Sequence, residues 1–358
     1  MEDRLLLVLL VALLPLLWFS PEPNWALHQL VDWKTLCALA GLMVLSRGLE
    51  LSGYLGLAGY WLLLRVHGQR SLAVCLVLFS AGLSAVITND VALFIVVPLT
   101  LGLQRVADIP LGRLVVFEAL AVNAGSAISP IGNPQNLFLW QTSNAGFLEF
   151  ILVMAPLATA ILALLVLAVP LAFARKTISI SDITAASSFK DRALFRVSVL
   201  LYLPFLVLAE MGQVEIAFAV LAAFFLVYRR QLLAGVDWPL LLVFAFMFID
   251  MNLLTGLPVF RDLAGYLMQL PGQALTAGVL GSQVVSNVPA TLFLATFTDD
   301  WQDLAWGVTV GGFGLAIGSL ANLIALRLAR QPGIWREFHC WSIPALFIAW
   351  LVAMVLRG

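Results

Sequence analysis

Two polar runs, Thr88-Asn89-Asp90 and Ser286-Asn287-Val288-Pro289, interrupt long apolar stretches of this sequence. A second interruption follows each, with the shared pattern Gly-x-x-x-Asn-Leu. It reads Gly132-Asn133-Pro134-Gln135-Asn136-Leu137 in the first half and Gly318-Ser319-Leu320-Ala321-Asn322-Leu323 in the second. These residue types suit the holding of a small solute or ion. The amides of Asn89, Asn136, Asn287 and Asn322 can accept from a substrate and ligate a hard cation through oxygen. Gly132 and Gly318 permit unusual backbone angles, and Pro134 has no N–H to leave unpaired. Bond-making chemistry has no comparable footing. His28, His67 and His339 fall in loops or at interfaces, the cysteines are scattered, and no nucleotide-binding Gly-Lys-Ser/Thr loop is present, so the chain does not read as an enzyme.

The elements that must position these residues are membrane helices. Hydrophobic residues make up 62% of the 358 and charged residues 11%, with a mean hydropathy of +1.02, against roughly 25% charged in soluble domains. Apolar runs recur from end to end, the mark of a polytopic α-helical membrane protein seated in a lipid bilayer. A net charge of −1 gives no footing for nucleic acid, and Cys37, Cys75 and Cys340 form neither a disulfide nor a zinc framework. Leu5 to Phe19 lacks a small-x-small cleavage site and runs into Pro21-Glu22-Pro23, so it reads as a retained first span.

Nine crossings account for the chain, near 4–20, 35–50, 114–141, 148–173, 195–210, 214–228, 239–256, 303–326 and 341–356. Apolar hairpins at 71–104 and 272–298 each enter and leave on one side. A cytoplasmic N-terminus puts all but Lys34, Arg261 and Arg357 of the 19 Lys and Arg residues inside. Thr291 to Phe297 is too short, at about 1.5 Å per residue, to cross ~30 Å of hydrocarbon. The second hairpin is therefore expected to be re-entrant, and the first by analogy.

The parity of the crossings then makes an inverted repeat. Residues 1–174 form one unit, with hairpin 71–104 and discontinuous helix 114–141; residues 211–358 form the other, with hairpin 272–298 and discontinuous helix 303–326. Residues 175–210 supply a cytoplasmic linker and one extra span. Leu57-Ala58-Gly59-Tyr60 and Leu263-Ala264-Gly265-Tyr266 mark an amphipathic stretch ahead of each hairpin. The expected fold is thus an all-α polytopic inverted-repeat transporter with two re-entrant hairpins and two discontinuous helices.

Paired broken segments at matching positions of two halves point to a transporter's binding site. Helix packing alone also uses Gly and Asn, but four interruptions in repeat register favour a site. Its candidate members are Thr88, Asn89, Asp90, Gly132, Asn133, Pro134, Asn136, Ser286, Asn287, Gly318, Ser319 and Asn322. A carboxylate at mid-depth is expensive, by at least ~2.5–3.5 kcal/mol on insertion scales, and is a functional hypothesis by default. No Lys or Arg is expected at the depth of Asp90, so its counter-charge is a carried cation, a proton or N–H dipoles. Asp90 is also suited to cap the helix that starts at Val91. Asp250 has no visible repeat partner, and Glu118, one turn inside its span, is expected to reach water by snorkelling.

At these residues the chain resembles the ion transporter superfamily of arsenical pumps, citrate and dicarboxylate carriers and sodium/proton antiporters. Within it, the chain is most similar to the small YbiR-like inner-membrane transporters. The resemblance rests on Thr88 through Thr100, Ala119 through Ser126, Pro130 through Asn136, Ser286-Asn287-Val288-Pro289, and Gly311 through Leu326. It implies a bacterial inner-membrane carrier, usually a homodimer, with a scaffold, a transport domain and elevator-type alternating access. By that likeness Thr88 and Asn89 with the Gly132–Asn136 break form one half-site, and Ser286 and Asn287 with Gly318, Ser319 and Asn322 form the other. A sodium ion at Asn89, Asp90 and Gly132 is the one cofactor to consider. Asp90 and Val288-Pro289 depart from the Ser-Asn-Thr tips of the carboxylate carriers and resemble the arsenical-pump and antiporter branch. The expected function is Na⁺- or H⁺-coupled transport of a small anion or oxyacid. The alternative is sodium/proton antiport with Asp90 as the exchanging carboxylate.

Overall fold

The structure is a computed structural model that describes residues 2–19, 26–63, 65–104, 108–178 and 190–358. Among these, seventeen α-helices and two short 3-10 turns account for the regular structure, with one isolated antiparallel bridge between Gly68 and Thr177. In chain order the first helices are α1 (Glu2–Phe19), α2 (Trp33–Leu51), α3 (Tyr54–Leu63), α4 (Gln69–Val86) and α5 (Asn89–Gln104). Then come α6 (Leu111–Ser126), α7 (Pro134–Thr142), α8 (Phe147–Ala172), α9 (Arg192–Glu210), α10 (Val214–Ala234) and α11 (Trp238–Gly256). The last are α12 (Pro258–Leu267), α13 (Gln273–Val285), α14 (Asn287–Leu294), α15 (Trp301–Gly311), α16 (Leu320–Ala329) and α17 (Ile334–Arg357).

Four aspartates set where helices begin. Asp32, Asp191, Asp237 and Asp300 each accept the backbone N–H three residues on, at 3.2, 2.9, 3.1 and 3.0 Å, opening α2, α9, α11 and α15. Each satisfies a first-turn donor that has no intrahelical partner. Among the described residues six helices, α4, α8, α9, α10, α11 and α17, are long and apolar enough to cross a bilayer. A seventh span results if α2 and the first nine residues of α3, bent by 59°, count as one.

Both segments expected to be discontinuous are interrupted, but the interruptions lie earlier than the motifs suggested. Residues 127–133 separate α6 from α7, so Pro134 and Asn136 belong to the first turn of α7 and not to the break. Proline at the first helical position fits because its missing N–H would be unpaired there anyway. Likewise residues 312–319 separate α15 from α16, and Asn322 lies on the helix. The polar segment Lys176 to Asp191, the linker part of 175–210, falls largely outside the described residues. Its first residue, Lys176, bonds Asp108 at 2.6 Å and holds that exposed carboxyl below the usual carboxylate range. That pairing is present at neutral pH and lost as the pH falls through the depressed value.

Two apolar clusters make the core. One joins α4, α5 and α6 to α16 and α17; the other joins α1, α2, α9, α10 and α11 to α7 and α14. The hairpins and breaks lie where the two meet.

Candidate functional site: crossed helix breaks beside an acidic cavity

The first tip is Ile87-Thr88, between α4 and α5. Asn89, as a first-turn residue, lacks an intrahelical acceptor for its N–H, and donates it to the Gly132 carbonyl of the first break at 2.8 Å. Ser129 Oγ donates back to the Ala85 carbonyl at 2.7 Å, and the Tyr202 hydroxyl of α9 reaches the Val86 carbonyl at 2.9 Å. The tip is thus pinned from both sides. Asp90 does not cap: among the described residues no hydrogen bond to its carboxylate is present, and its backbone N–H donates to Asn89 Oδ1 at 2.9 Å.

The second tip is the single residue Ser286, whose φ of +79° lies where a side chain costs roughly 1–3 kcal/mol. Gln283, one turn earlier, latches the second break. Its Nε2 donates to the Gly311 carbonyl at 2.6 Å, and its Oε1 accepts from the Leu315 N–H at 2.7 Å. Asn287 lies against Gly312: a Cβ added there would be 3.6 Å from Asn287 Nδ2 and 3.6 Å from Asn123 Cγ.

The two breaks share one wiring. In each, the asparagine of the Gly-x-x-x-Asn motif donates to a carbonyl ten residues back. Asn136 Nδ2 reaches Ser126 at 3.5 Å, with closer bonds to Ala127 and Ser129 at 3.0 and 3.2 Å, and Asn322 Nδ2 reaches Gly312 at 2.9 Å. Asn133 caps α7 by accepting from the Asn136 N–H at 2.9 Å. Crossing between the breaks is Asn123 of α6. Its Nδ2 donates to Asn322 Oδ1 at 2.8 Å and to the Gly312 carbonyl at 3.2 Å, and its Oδ1 accepts the Ser319 hydroxyl at 3.0 Å. Thr309, in the matching position thirteen residues before Asn322 as Asn123 is before Asn136, is buried and its hydroxyl has no partner among the described residues. Gln135 Oε1 and Asn136 Oδ1 are likewise buried without a donor.

The twelve expected residues therefore fall into one region, with packing swapped between the halves: α14 lies on α7, and α5 on α16. Not all reach open space. A cavity of about 220 Å³ is lined by Thr88, Asp90 and Phe94 on one side and by Met43, Arg47, Glu50 and Asp237 on the other. A smaller extension brings in Leu5, Leu320 and Ile324. Of the twelve expected residues only Thr88 and Asp90 line it. On the opposite side of the breaks Leu36, Pro134, Phe138, Phe248, Val288 and Leu292 close an apolar seam, with the Phe138 and Phe248 rings 5.7 Å apart.

Arg47 corrects the expectation that Asp90 has no cation near its depth. Its Nη1 is bonded to Glu50 at 2.7 Å, and its buried Nε has no partner among the described residues. Two further expectations change. Glu118 is fully buried and bonded to Thr100, because α4, α5 and α16 pack over α6 where a snorkelling side chain would need to pass. His339 lies within α17, not in a loop, and its Nε2 accepts from the Ala316 N–H of the second break at 3.2 Å. Asp250 is 1% exposed with both carboxylate oxygens unpartnered among the described residues.

Asn123, Gln283, Tyr202 and Arg47 were not singled out from sequence. Asn123 had a signal, as the one amide in the apolar run from Leu114 to Gly125. The others act through tertiary packing that periodicity does not encode. Replacing Asn123 by alanine strands Asn322 Oδ1 and the Ser319 hydroxyl in the interior. A loss of about 1–3 kcal/mol is expected for the unpaired acceptor, read as a lower unfolding temperature in detergent. An unchanged unfolding temperature would show that the cross-link contributes nothing.

A helical membrane protein whose two halves each carry a hairpin tip docked on a helix break has the build of a membrane transporter. The family described as Citrate transporter (CitMHS) matches residues 3–311, and the chain belongs to it; it is a multi-pass membrane transporter and not an enzyme. It is 45% identical to Inner membrane protein YbiR of Escherichia coli (strain K12) over 356 residues, 99% of this chain and 95% of that one. It is also 34% identical to the transporter MJ0456 of Methanocaldococcus jannaschii over 331 residues, 90% and 88% of the two chains. With the transporter Mb2703 of Mycobacterium bovis the identity is 28% over 344 residues, 85% and 80% of the two.

Proposed function

We propose that the chain is an ion-coupled secondary transporter that moves a small oxyacid or anion across a bacterial inner membrane by elevator-type alternating access. The observation that carries this reading is Asn123 joining the first broken segment to the second beside a cavity that opens past Asp90. Residues 1–174 and 211–358 act as inverted repeats with re-entrant hairpins at 71–104 and 272–298, joined by a linker and one extra span over 175–210, and the N-terminus is cytoplasmic. The chain works as a homodimer. Thr88, Asn89, Gly132 and Asn136 supply one half-site; Ser286, Asn287, Gly318, Ser319 and Asn322 supply the other. On this reading, the cavity on the Arg47 side and the apolar seam on the other correspond to one end of an alternating-access cycle.

Charge narrows the cargo. The cavity presents three carboxylates, Glu50, Asp90 and Asp237, and one guanidinium, which Glu50 already holds. Two like charges about 4 Å apart repel by roughly 4 kcal/mol at an effective dielectric constant of about 20. A multiply charged carboxylate is therefore disfavoured here unless it travels with cations. Thr88, the one hydroxyl in the lining, can accept from a solute O–H as well as donate to a solute oxygen. A neutral oxyacid, or a monoanion accompanied by Na⁺ or H⁺, fits both facts.

The net acidic lining also favours the second reading, sodium/proton antiport with Asp90 as the exchanging carboxylate. Proteoliposomes distinguish the two. Uptake of labelled arsenous acid, boric acid, phosphate and citrate is measured under an imposed Na⁺ or pH gradient. Gradient-dependent uptake of an oxyacid or monoanion is expected. Sodium-driven proton release with none of these solutes moving would establish the antiporter instead.

A further inference from the structure

Glu118 of α6 is wholly buried. Its Oε1 accepts the hydroxyl of Thr100 on α5, itself wholly buried, and its Oε2 has no partner among the described residues. Helices α4, α5, α8, α16 and α17 pack around α6, and their charged groups are occupied elsewhere. Arg70 donates to the Pro170 and Phe173 carbonyls, and Arg113 on α6 itself to Glu337 and the Ala172 carbonyl. Arg357 pairs with Asp303, Glu149 accepts from the Gly146 N–H, and His339 is bonded to Trp335 and Ala316. Arg327 and Arg336 are exposed, and Asp90 faces the cavity.

An ionised carboxylate without a partner in an apolar interior neutralises by taking up a proton. A metal ion does not answer the need. A hard cation takes about six oxygen ligands, whereas among the described residues the one side-chain bond Glu118 makes is to Thr100. The location is mechanically apt. α6 carries Asn123 five residues on, and α5 carries Asp90 and Phe94 at the cavity wall. Between them and Thr100 stands Pro98, which has no N–H for the Phe94 carbonyl and so leaves a polar gap along α5 on the way to Glu118.

We propose that Glu118 is a proton-binding site, loaded from and discharged to the cavity once per transport cycle, which makes H⁺ the coupling ion. The proton adds to Oε2 while Thr100 keeps donating to Oε1; on release it passes to water in the cavity. The coupling half of this proposal rests on the transporter reading above, and the protonation half does not.

The test is infrared difference spectroscopy of the full chain in lipid during a pH titration, paired with uptake in proteoliposomes. With Asp250, the other buried carboxyl lacking a partner among the described residues, replaced by asparagine in every sample, a carboxylic-acid C=O band that bleaches with rising pH is expected in this background and in its Asp90→Asn variant, and is absent from its Glu118→Gln variant. In Glu118→Gln, accumulation driven by a pH step is lost while solute exchange at equal pH persists. Thr100→Val keeps the acid and shifts its band by removing the hydrogen bond, which covers the case in which Glu118→Gln does not fold. A band missing or unmoved by pH, a band unaltered in Thr100→Val, or pH-driven accumulation retained in folded Glu118→Gln would each overturn the proposal. A titrating band in a protein that moves no solute would leave the proton site standing and remove the transporter reading.

Discussion

Asp90→Asn is expected to lower gradient-driven transport by roughly a hundredfold or more, about 2.7 kcal/mol in a rate-limiting barrier, with unchanged elution and unfolding temperature. The reasoning is geometric. Among the described residues the Asp90 carboxylate makes no hydrogen bond that holds the tip, which is fixed by the backbone bond from Asn89 to Gly132 and by Tyr202. Its carboxylate faces the cavity beside Asp237 and across from Arg47, where a charge interacts with whatever enters. Removing the charge while keeping the shape therefore touches the carried ion or solute and not the fold. If the variant transports with the same ion dependence as the parent, Asp90 is no more than a favourable charge at a helix N-terminus.

Gly132→Ala carries the second large effect, and here the fold does suffer. A Cβ at Gly132 would lie 2.2 Å from the Ser126 carbonyl oxygen, a backbone atom that cannot step aside. Relief requires the break to open, and the carbonyl of Gly132 is the one that receives the Asn89 N–H. A destabilisation of about 1–3 kcal/mol, as for other overpacked sites, is expected together with loss of transport. Gly318→Ala is expected to behave alike, since its Cβ would lie 2.5 Å from the Gly311 carbonyl oxygen. By contrast, Gly256 and Gly265 have open space at the Cβ position, so alanine there should leave both stability and uptake unchanged. Equal behaviour of all four variants would contradict the account of the breaks.

Much of this arrangement is legible in the residues. Apolar runs announce the helices, Asp32, Asp191, Asp237 and Asp300 announce their starts, and the two Gly-x-x-x-Asn-Leu motifs announce the breaks. The boundaries were less legible. Asn133-Pro134 is a helix-start signal, and reading it as such would have put the first break before it. What sequence patterns could not reveal is which buried polar groups meet. Arg47 lies near the end of α2 and looks like an interfacial residue, yet the α10–α11 turn at Gly235 folds against it and makes it a wall of the cavity. Glu118 looked able to reach water until α4, α5 and α16 enclosed it. Both outcomes depend on contacts between segments far apart in the chain, which local periodicity does not carry.

The central claim is that the two tips serve one solute, and a double-mutant cycle addresses it most directly. Apparent affinity for the transported solute is measured in Thr88→Ala, Ser286→Ala and the double variant. If both hydroxyls face the same bound molecule during the cycle, each single change weakens affinity and the two effects fail to add by about 0.5–3 kcal/mol. If both single variants keep the parent affinity, or their effects add as at independent sites, the tips do not share a solute and the two-half site is wrong.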